Sequence, residues 1–464
     1  MRVLLLNLPS PVPVYRGFFR SNVANSSFFI PQADLVLLSG ALHAAGARVE
    51  VVDCIVAGLD LDAAEALVRT GRHDLVVCMV SSSTLSEDLS RLARLCAAAS
   101  CPIAVLADAA IVAAGLVEKV RAVSERIACV SVEPVHREVT ALVESMTGTR
   151  RPLVVRDADG RIRMPTPLHH LFKDRRYGFP QSKRWPVTCT QSSFGCRFGC
   201  RFCVDGATRP DPEVRAPDDV VEELAAARAA GFREVYFRDL TFGQFREESL
   251  AVCRGLSRRA EGLRWLCSSR VDVMDRELVE AMAEAGCYGI EFGVESHDPQ
   301  TRERMGKVRE TERIRSVFGA CRDAGIEVTA FVILGLPGEA LPPPEGLVGY
   351  LLDLGCDWVS FNLLTPFPGT PLVDDPALAC QRDELPSAPY HSLEWMADAG
   401  QRERLLEYFR TAHARFYTHP AVLLRRLGRL ETLGEAYKMA RHGAGLVAGA
   451  VADRVRQKVT TRTK

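Results

Sequence analysis

Short apolar runs alternate along the chain with longer stretches of helical periodicity, and this sets the first expectation of the fold. Val3 to Leu6, Val49 to Asp53, Leu75 to Val80 and Ile103 to Leu106 read as strands, separated by helices rich in Ala, Leu and Arg, the first ending near Ala44-Ala45-Gly46. This pattern predicts an α/β unit over residues 1–148, a doubly wound (Rossmann-like) parallel sheet. Residues 149–184 carry Pro, Arg, Asp and Gly without periodicity and read as a linker. Over 185–384 one phrase recurs, a helix ending in Gly and then at once a strand. It occurs at Gly231 before Val235 to Phe237, Gly286 before Tyr288 to Val294, Gly325 before Ile326 to Leu334, and Gly355 before Trp358 to Leu364. Each glycine suits a helix C′ position, and Asp218, Asp275 and Thr311 suit the N-caps of three of the helices. Repeated βα units predict a parallel barrel, whole or partial, with chemistry at the C-terminal strand ends. Residues 385–464 are charged and amphipathic and read as a helical C-terminal region, in which the small apolar run Gly443 to Ala452 is too short to span a bilayer and reads as core packing.

The chain has 464 residues, enough for two or three domains, and 58 basic residues balance 58 acidic ones. That neutrality predicts neither a nucleic-acid partner nor an anionic membrane. Fifteen cysteines in a sequence that opens on Met1-Arg2-Val3 without a leader or a long apolar run predict a cytoplasmic protein, most of whose thiols are reduced and buried.

Chemistry is expected at Cys196-Arg197-Phe198-Gly199-Cys200-Arg201-Phe202-Cys203, a C-x3-C-x2-C triplet directly after the first barrel strand. Three thiolates on one loop can wrap one face of a [4Fe–4S] cluster and leave the fourth iron free of this motif. The alternatives are three structural thiols, or a zinc ion that would need a fourth ligand from elsewhere.

The triplet, with the aromatic Phe202 before its third cysteine, resembles that of the radical S-adenosylmethionine (radical SAM) enzymes. Ser269-Arg270-Val271-Asp272, Gly293-Val294-Glu295-Ser296, Gly335-Leu336-Pro337-Gly338-Glu339 and Thr365-Pro366-Phe367-Pro368-Gly369-Thr370 follow in the order of the subclass with an N-terminal cobalamin-binding-like domain. The resemblance implies a partial (β/α)6 barrel, a cluster on Cys196, Cys200 and Cys203 whose free iron chelates SAM, and a 5′-deoxyadenosyl radical. It also implies a set of cofactor-binding residues: Glu295 near the SAM ribose, Gly335 to Gly338 near the adenine, Asp239 with Thr241 at the methionine end, and Phe202 and Arg270 beside them. The family's Gly-Gly-Glu at the methionine end is replaced here by Arg238-Asp239-Leu240.

Strand alternation adds a reading that does not depend on the resemblance. Ile290, Phe292 and Val294 share one face under the helices, so Glu291, Gly293 and Glu295 face the lumen. By the same rule Tyr236, Arg238, Ser360 and Asn362 point inward. Glu291 and Tyr236 become the candidate catalytic acid and base, and a structural ion pair between Glu291 and Arg238 is the plain alternative.

The first domain lacks the Asp-x-His-x-x-Gly of base-off cobalamin proteins; its nearest match ends at His43 and Gly46. After the fourth strand, Ala107-Asp108-Ala109-Ala110 stands where a Gly-Gly pair is usual, and its added β-carbons and carboxylate predict a crowded edge, so cobalamin is not expected. A degenerate cobalamin-type domain resembles the radical SAM 1,2-diol dehydratase type of apramycin (aminoglycoside) biosynthesis. That implies hydrogen abstraction at C4′ of paromamine and loss of the C3′ hydroxyl as water, with an external electron donor such as flavodoxin and a separate nicotinamide-dependent reductase acting on the product. The alternatives are a cobalamin-dependent radical SAM methyltransferase of natural-product biosynthesis and a non-catalytic iron–sulfur or zinc protein.

Overall fold

The computed structural model describes residues 1–19, 22–23, 29–148, 154–376, 378, 393, 395–396 and 398–431. Strands β1 (Arg2–Asn7), β2 (Arg48–Asp53), β3 (Leu75–Val80), β4 (Ile103–Ala107) and β5 (Ile127–Ser131) form one parallel sheet in the order β2-β1-β3-β4-β5. Alternation decides its two faces. Val3, Leu5, Val77 and Leu106 pack under α1 (Ala33–Ala44) and α5 (Arg137–Thr147), whereas Leu4, Leu6, Val76 and Val105 pack under α2 (Leu61–Thr70) and α3 (Leu85–Ala98). Four strands match the sequence expectation. The fifth, β5, was not predicted because it is an edge strand whose Ile127, Ala128 and Cys129 remain partly exposed and leave no continuous apolar run. The strand order reverses between β1 and β3, so the C-terminal ends of these strands flank the crevice where such sheets bind ligands.

The second sheet is also parallel: β6 (Val187–Thr190), β7 (Glu234–Phe237), β8 (Arg264–Ser269), β9 (Cys287–Glu295), β10 (Glu327–Leu334) and β11 (Trp358–Leu363) pair in chain order. β6 and β11 do not pair with each other, so the barrel is partial, as expected. Outward residues such as Val235, Phe237, Ile290, Phe292, Val359 and Phe361 share one core with the outer helices. The open edge at β11 is covered by α12 (Ala399–Tyr417): the Tyr417 hydroxyl donates to the Val359 carbonyl at 2.7 Å and accepts from the Val359 N–H at 3.2 Å.

Local chemistry explains most of the boundaries. Gly231, Gly286, Gly325 and Gly355 all take left-handed φ angles at the helix ends, as the repeated phrase predicted. At Gly286 a β-carbon would also lie 2.4 Å from the Leu263 carbonyl oxygen, so no other residue fits. Asp275 caps α9 (Arg276–Glu284) by accepting from Leu278 N–H at 2.8 Å. The other two expected caps are corrected. α7 (Pro217–Ala229) starts after Ala216 with Pro217 in its first turn, and Asp218 lies inside the helix, paired with Arg163 at 2.7 Å. Thr311 is the first residue of α10 (Thr311–Asp323), and its hydroxyl accepts from Arg302 at 2.8 Å.

The expected linker is also corrected, because much of it is packed core. Phe172 and Phe179 join a single apolar cluster that includes Leu35 and Val36 of α1 and the inward faces of Tyr236, Leu266 and Tyr288. The segment therefore fills one side of the half-barrel and fastens the first sheet across it; polar residues between the aromatic ones hid this from periodicity. A buried polar network holds it as well. His169 contacts Thr188 at 2.8 Å and Glu223 at 3.0 Å, and Glu223 pairs with Arg215 at 2.7 Å. The C-terminal region is helical where it is described, in α12 and α13 (Pro420–Leu427), and the run Gly443 to Ala452 lies outside the described residues. Among the described residues no helix is long and apolar enough to cross a membrane.

Burial works to raise the Glu223 carboxyl, but Arg215 first and then His169 outweigh it and hold it down at about 2. Because the folded value is depressed, the stabilisation is complete above the ordinary value of 4.5 and is lost as pH falls toward about 2. Glu223→Gln leaves Arg215 buried without its partner and should cost about 3–5 kcal/mol in urea unfolding at neutral pH. The gap to wild type should narrow steadily as pH falls from about 4.5 toward about 2, because over that range the unfolded chain takes up a proton on Glu223 that the folded pair does not.

Candidate active site

The three cysteines lie on a loop whose ends are clamped. Ser193–Phe194 pairs antiparallel with Glu213–Val214, closing the excursion that carries Cys196, Cys200 and Cys203. Asp239, at the end of β7, fastens its entrance by accepting from Ser192 N–H at 2.9 Å, Ser192 Oγ at 2.6 Å and Ser193 Oγ at 2.7 Å. Gln244 donates to the Gly195 carbonyl at 3.0 Å and accepts from Arg197 N–H at 3.3 Å. Gly195 itself needs its φ of +83°, since a β-carbon there would meet the Arg209 carbonyl oxygen at 2.9 Å.

The loop aims each thiol at a different partner. Cys196 Sγ lies 3.4 Å from Thr241 Oγ1, Cys200 Sγ accepts from Arg270 Nη1 at 2.8 Å, and Cys203 Sγ accepts from Gly206 N–H at 3.5 Å at the start of α6 (Val204–Thr208). Arg270 is held by Asp272 at 2.9 and 2.7 Å and stacks 4.1 Å over Phe198. Burial, then the charges of Asp205 and Cys200, push the Cys203 thiol up to about 12, so its thiolate form calls for a nearby cation. Among the described residues no three His, Cys, Asp or Glu side chains converge tightly enough for a single metal ion.

The lumen residues point where alternation placed them. Tyr236 donates to Glu291 Oε2 at 2.6 Å and Ser268 Oγ donates to the same oxygen at 2.7 Å. Among the described residues Glu291 forms no ion pair with Arg238, whose guanidinium lies 5.1 Å over the Tyr236 ring, so the plain alternative is not realised. Glu295 is also inward, in a left-handed conformation with φ +65°, and Lys307 Nζ lies 2.9 Å from its Oε1. Burial works to lower the Lys307 value, but Glu295 and then Cys200 raise it above the ordinary lysine range, so Lys307 stays charged, 5.7 Å over the Phe202 ring.

One cavity of about 770 Å³ connects these groups. It is lined by the three cysteines, Phe202, Thr241, Arg270, Tyr236, Glu291 and Glu295, and on its other side by Ser82, Asp108, Ala109 and Ala110 from the C-terminal ends of β3 and β4. Three expected cofactor contacts are not among its lining residues. Asp239 is fully buried and faces Ser192 and Ser193, so it positions the cysteine loop. Gly335 and Gly338 turn under Leu405 and beside Arg304, each of which would lie 2.9 Å from an added β-carbon. Sequence reasoning missed Ser268 and Lys307. Alternation along β8 would have shown Ser268 inward, opposite Trp265 and Cys267, whereas Lys307 reaches Glu295 only through the turn at Gly306.

Residues 190–351 match the Radical SAM superfamily. An uncharacterized methyltransferase of Pyrococcus horikoshii is 25% identical over 271 residues, 56% of this chain and 57% of its own length. The chain thus spans little more than half of that relative. Among solved structures, the radical SAM methyltransferase TsrM of Kitasatospora setae, with cobalamin and a [4Fe–4S] cluster bound, superposes with a TM-score of 0.60 at 20% identity, covering 80% of this chain and 76% of its own. The cobalamin-dependent radical SAM enzyme OxsB, with aqua-cobalamin and SAM bound, gives 0.65 at 15% identity, covering 96% and 70%.

These two likenesses extend over the first domain as well as the barrel and overturn the expectation that cobalamin is absent. At the edge expected to be crowded, the Asp108 carboxylate is engaged within the protein: it turns back to accept from Ser82 N–H at 2.6 Å, Ser82 Oγ at 2.8 Å and Ile111 N–H at 2.9 Å, capping α4 (Ala109–Ala113). The following alanines let α4 pack against α6 beside the cysteine loop, so the missing glycines serve a seam between the two units. His43 is exposed at the end of α1, as expected for a surface histidine.

Asp239→Ala strands three donors at the entrance of the cysteine loop, at a cost of about 2 kcal/mol or more. The expected result is a folded protein that retains markedly less iron than wild type after anaerobic reconstitution and gel filtration, while Asp239→Asn, which keeps an acceptor, retains an intermediate amount.

Proposed function

We propose that this chain is a cobalamin-dependent radical SAM methyltransferase acting on a small molecule. The observation that carries the reading is the shared cavity: the ligand-binding edge of the first sheet and the three cysteines of the barrel face the same volume. The names of TsrM and of the Pyrococcus relative favour methyl transfer over dehydration. When bound, the cluster and SAM supply an adenosyl radical, and cobalamin supplies a methyl carrier.

The chain's own residues do the holding and the proton chemistry. Cys196, Cys200 and Cys203 hold three irons. Arg270 donates to the Cys200 sulfur and places positive charge beside the cluster. Glu295, fixed by Lys307, faces the cavity as the carboxylate on the SAM side. Tyr236 and Ser268 hold Glu291 by two hydrogen bonds, so that a proton can move between substrate and Glu291 without water. The same trio is the one observation that favours the second reading, a dehydratase acting on a sugar diol, since loss of water needs an acid and a base in the lumen.

Replacing all three cysteines by alanine should abolish the absorption near about 400 nm. Glu295→Ala should weaken SAM binding about tenfold with iron content unchanged, a loss of about 1.4 kcal/mol. The reconstituted protein should retain hydroxocobalamin through gel filtration. With SAM deuterated in its methyl group, the product should gain the labelled methyl. A dehydrated product without label, formed by protein that binds no corrinoid, would replace this reading with the second.

A further inference from the structure

The cavity does not end at the catalytic groups. It continues along the inward faces of β10 and β11 to Trp358, Arg426 and Arg429, near the N-terminal ends of those strands. From Ile333 to Glu327 the path is about 20 Å at the usual rise of a strand. Its walls are mainly apolar and aromatic, with Phe331, Phe409, His413 and Tyr417 among them.

At this far end the cations are accounted for, with one exception. Lys183 pairs with Glu327 at 2.7 Å and Glu431 at 3.2 Å, Arg429 pairs with Asp357 at 3.1 Å, and Arg425 donates to the Cys356 carbonyl at 2.7 Å. Arg426 stacks 3.8 Å over the Trp358 ring and 5.7 Å from the Tyr417 ring, and among the described residues it has neither a carboxylate partner nor a hydrogen-bond acceptor. A half-buried guanidinium fixed flat on an indole, with its N–H edge unused in a cavity, is costly alone and ready to receive an anion. Burial lowers its value from the ordinary arginine range, outweighing Tyr417 and the charge of Glu327, which is itself paired with Lys183.

We infer that the substrate is an elongated, largely apolar molecule with an anionic head group, a carboxylate or a phosphate, and that Arg426 binds this head group at the end of the lumen opposite the cysteines. The inference rests on the proposed function for the location of the chemistry, and it adds the class of substrate and its orientation. The apolar body lies along Phe331 and Phe409, and the head group makes paired N–H···O bonds to Arg426. It disfavours a polycationic aminoglycoside, whose ammonium groups would meet Arg426 here while the nearby carboxylates Glu327 and Asp357 are already paired.

Calorimetric titration of the full chain, reconstituted with its cluster and without SAM, tests this with three probes kept below their micelle-forming concentrations: dodecanoate, dodecyl phosphate and dodecanol. At least one anionic probe should bind ten-fold or more tightly than dodecanol, and which of the two anions wins identifies the head group. Arg426→Gln should remove that preference and leave dodecanol binding unchanged, whereas Arg426→Lys should keep part of it. Equal affinities of all three probes for wild type would overturn the inference without any variant, as would a preference that survives in Arg426→Gln. Because neither corrinoid nor methyl transfer enters the measurement, an anion preference in protein that fails to bind cobalamin would refute the proposed function and leave the subsite standing.

Discussion

The structure depends on the way two parallel sheets are made to face each other across one volume. The first sheet lines that volume with residues at the C-terminal ends of β3 and β4, and the barrel lines it with the cysteine loop and its inward-facing side chains. Two contacts bring these ends together. The small residues of α4 let it pack on α6 directly behind the cysteine loop, and residues of α1 with Phe172 and Phe179 form one core with the inward side chains Tyr236, Leu266 and Tyr288. Gly40 belongs to the same contact, since a β-carbon there would lie 2.4 Å from the Thr166 carbonyl oxygen. Without this docking the half-barrel would expose an apolar inner wall, and the cavity would be an open groove.

Electrostatics at the site follow from that enclosure. Burial makes the Cys203 thiol difficult to ionise where it lies, and positive charge is brought to the cysteine loop by Arg270 and Lys307, each fixed by a carboxylate and an aromatic ring. Asp239 is the converse case: burial raises its carboxyl above the ordinary range, and hydrogen bonds from Ser192 and then Ser193 offset the rise. The site thus separates groups that hold the loop from groups that face the cavity, although Asp239 and Thr241 are only two positions apart. The far end of the lumen, with Arg426 on Trp358, adds a third polar station to an otherwise apolar passage.

Much of this was legible in the sequence for a physical reason. Parallel strands buried on both faces give unbroken apolar runs, and helices that end in left-handed glycines mark their own limits, so four strands of the first sheet and the βα repeat of the second could be placed closely. The cysteine spacing pointed to a cluster, and alternation put Tyr236, Glu291, Ser360 and Asn362 inward. What failed needed the third dimension. β5 lies at an edge with little apolar signal, and the segment 154–184 is polar in composition yet buries its few aromatic residues between domains. The alanines after β4 were read as obstructing a ligand when they form a helix seam, because side-chain direction at a loop cannot be taken from composition. Lys307 and Arg426 gain their meaning from partners far away in the chain.

The central claim is that a corrinoid on the first sheet and a cluster on Cys196, Cys200 and Cys203 share one cavity. Electron paramagnetic resonance of protein loaded with both groups and reduced tests it most directly, because two paramagnets in one cavity relax each other. The account predicts a cob(II)alamin signal broadened and fast-relaxing when the cluster is reduced, and restored to its isolated form in the triple-alanine variant. A sum of two independent spectra in fully loaded wild-type protein would contradict it.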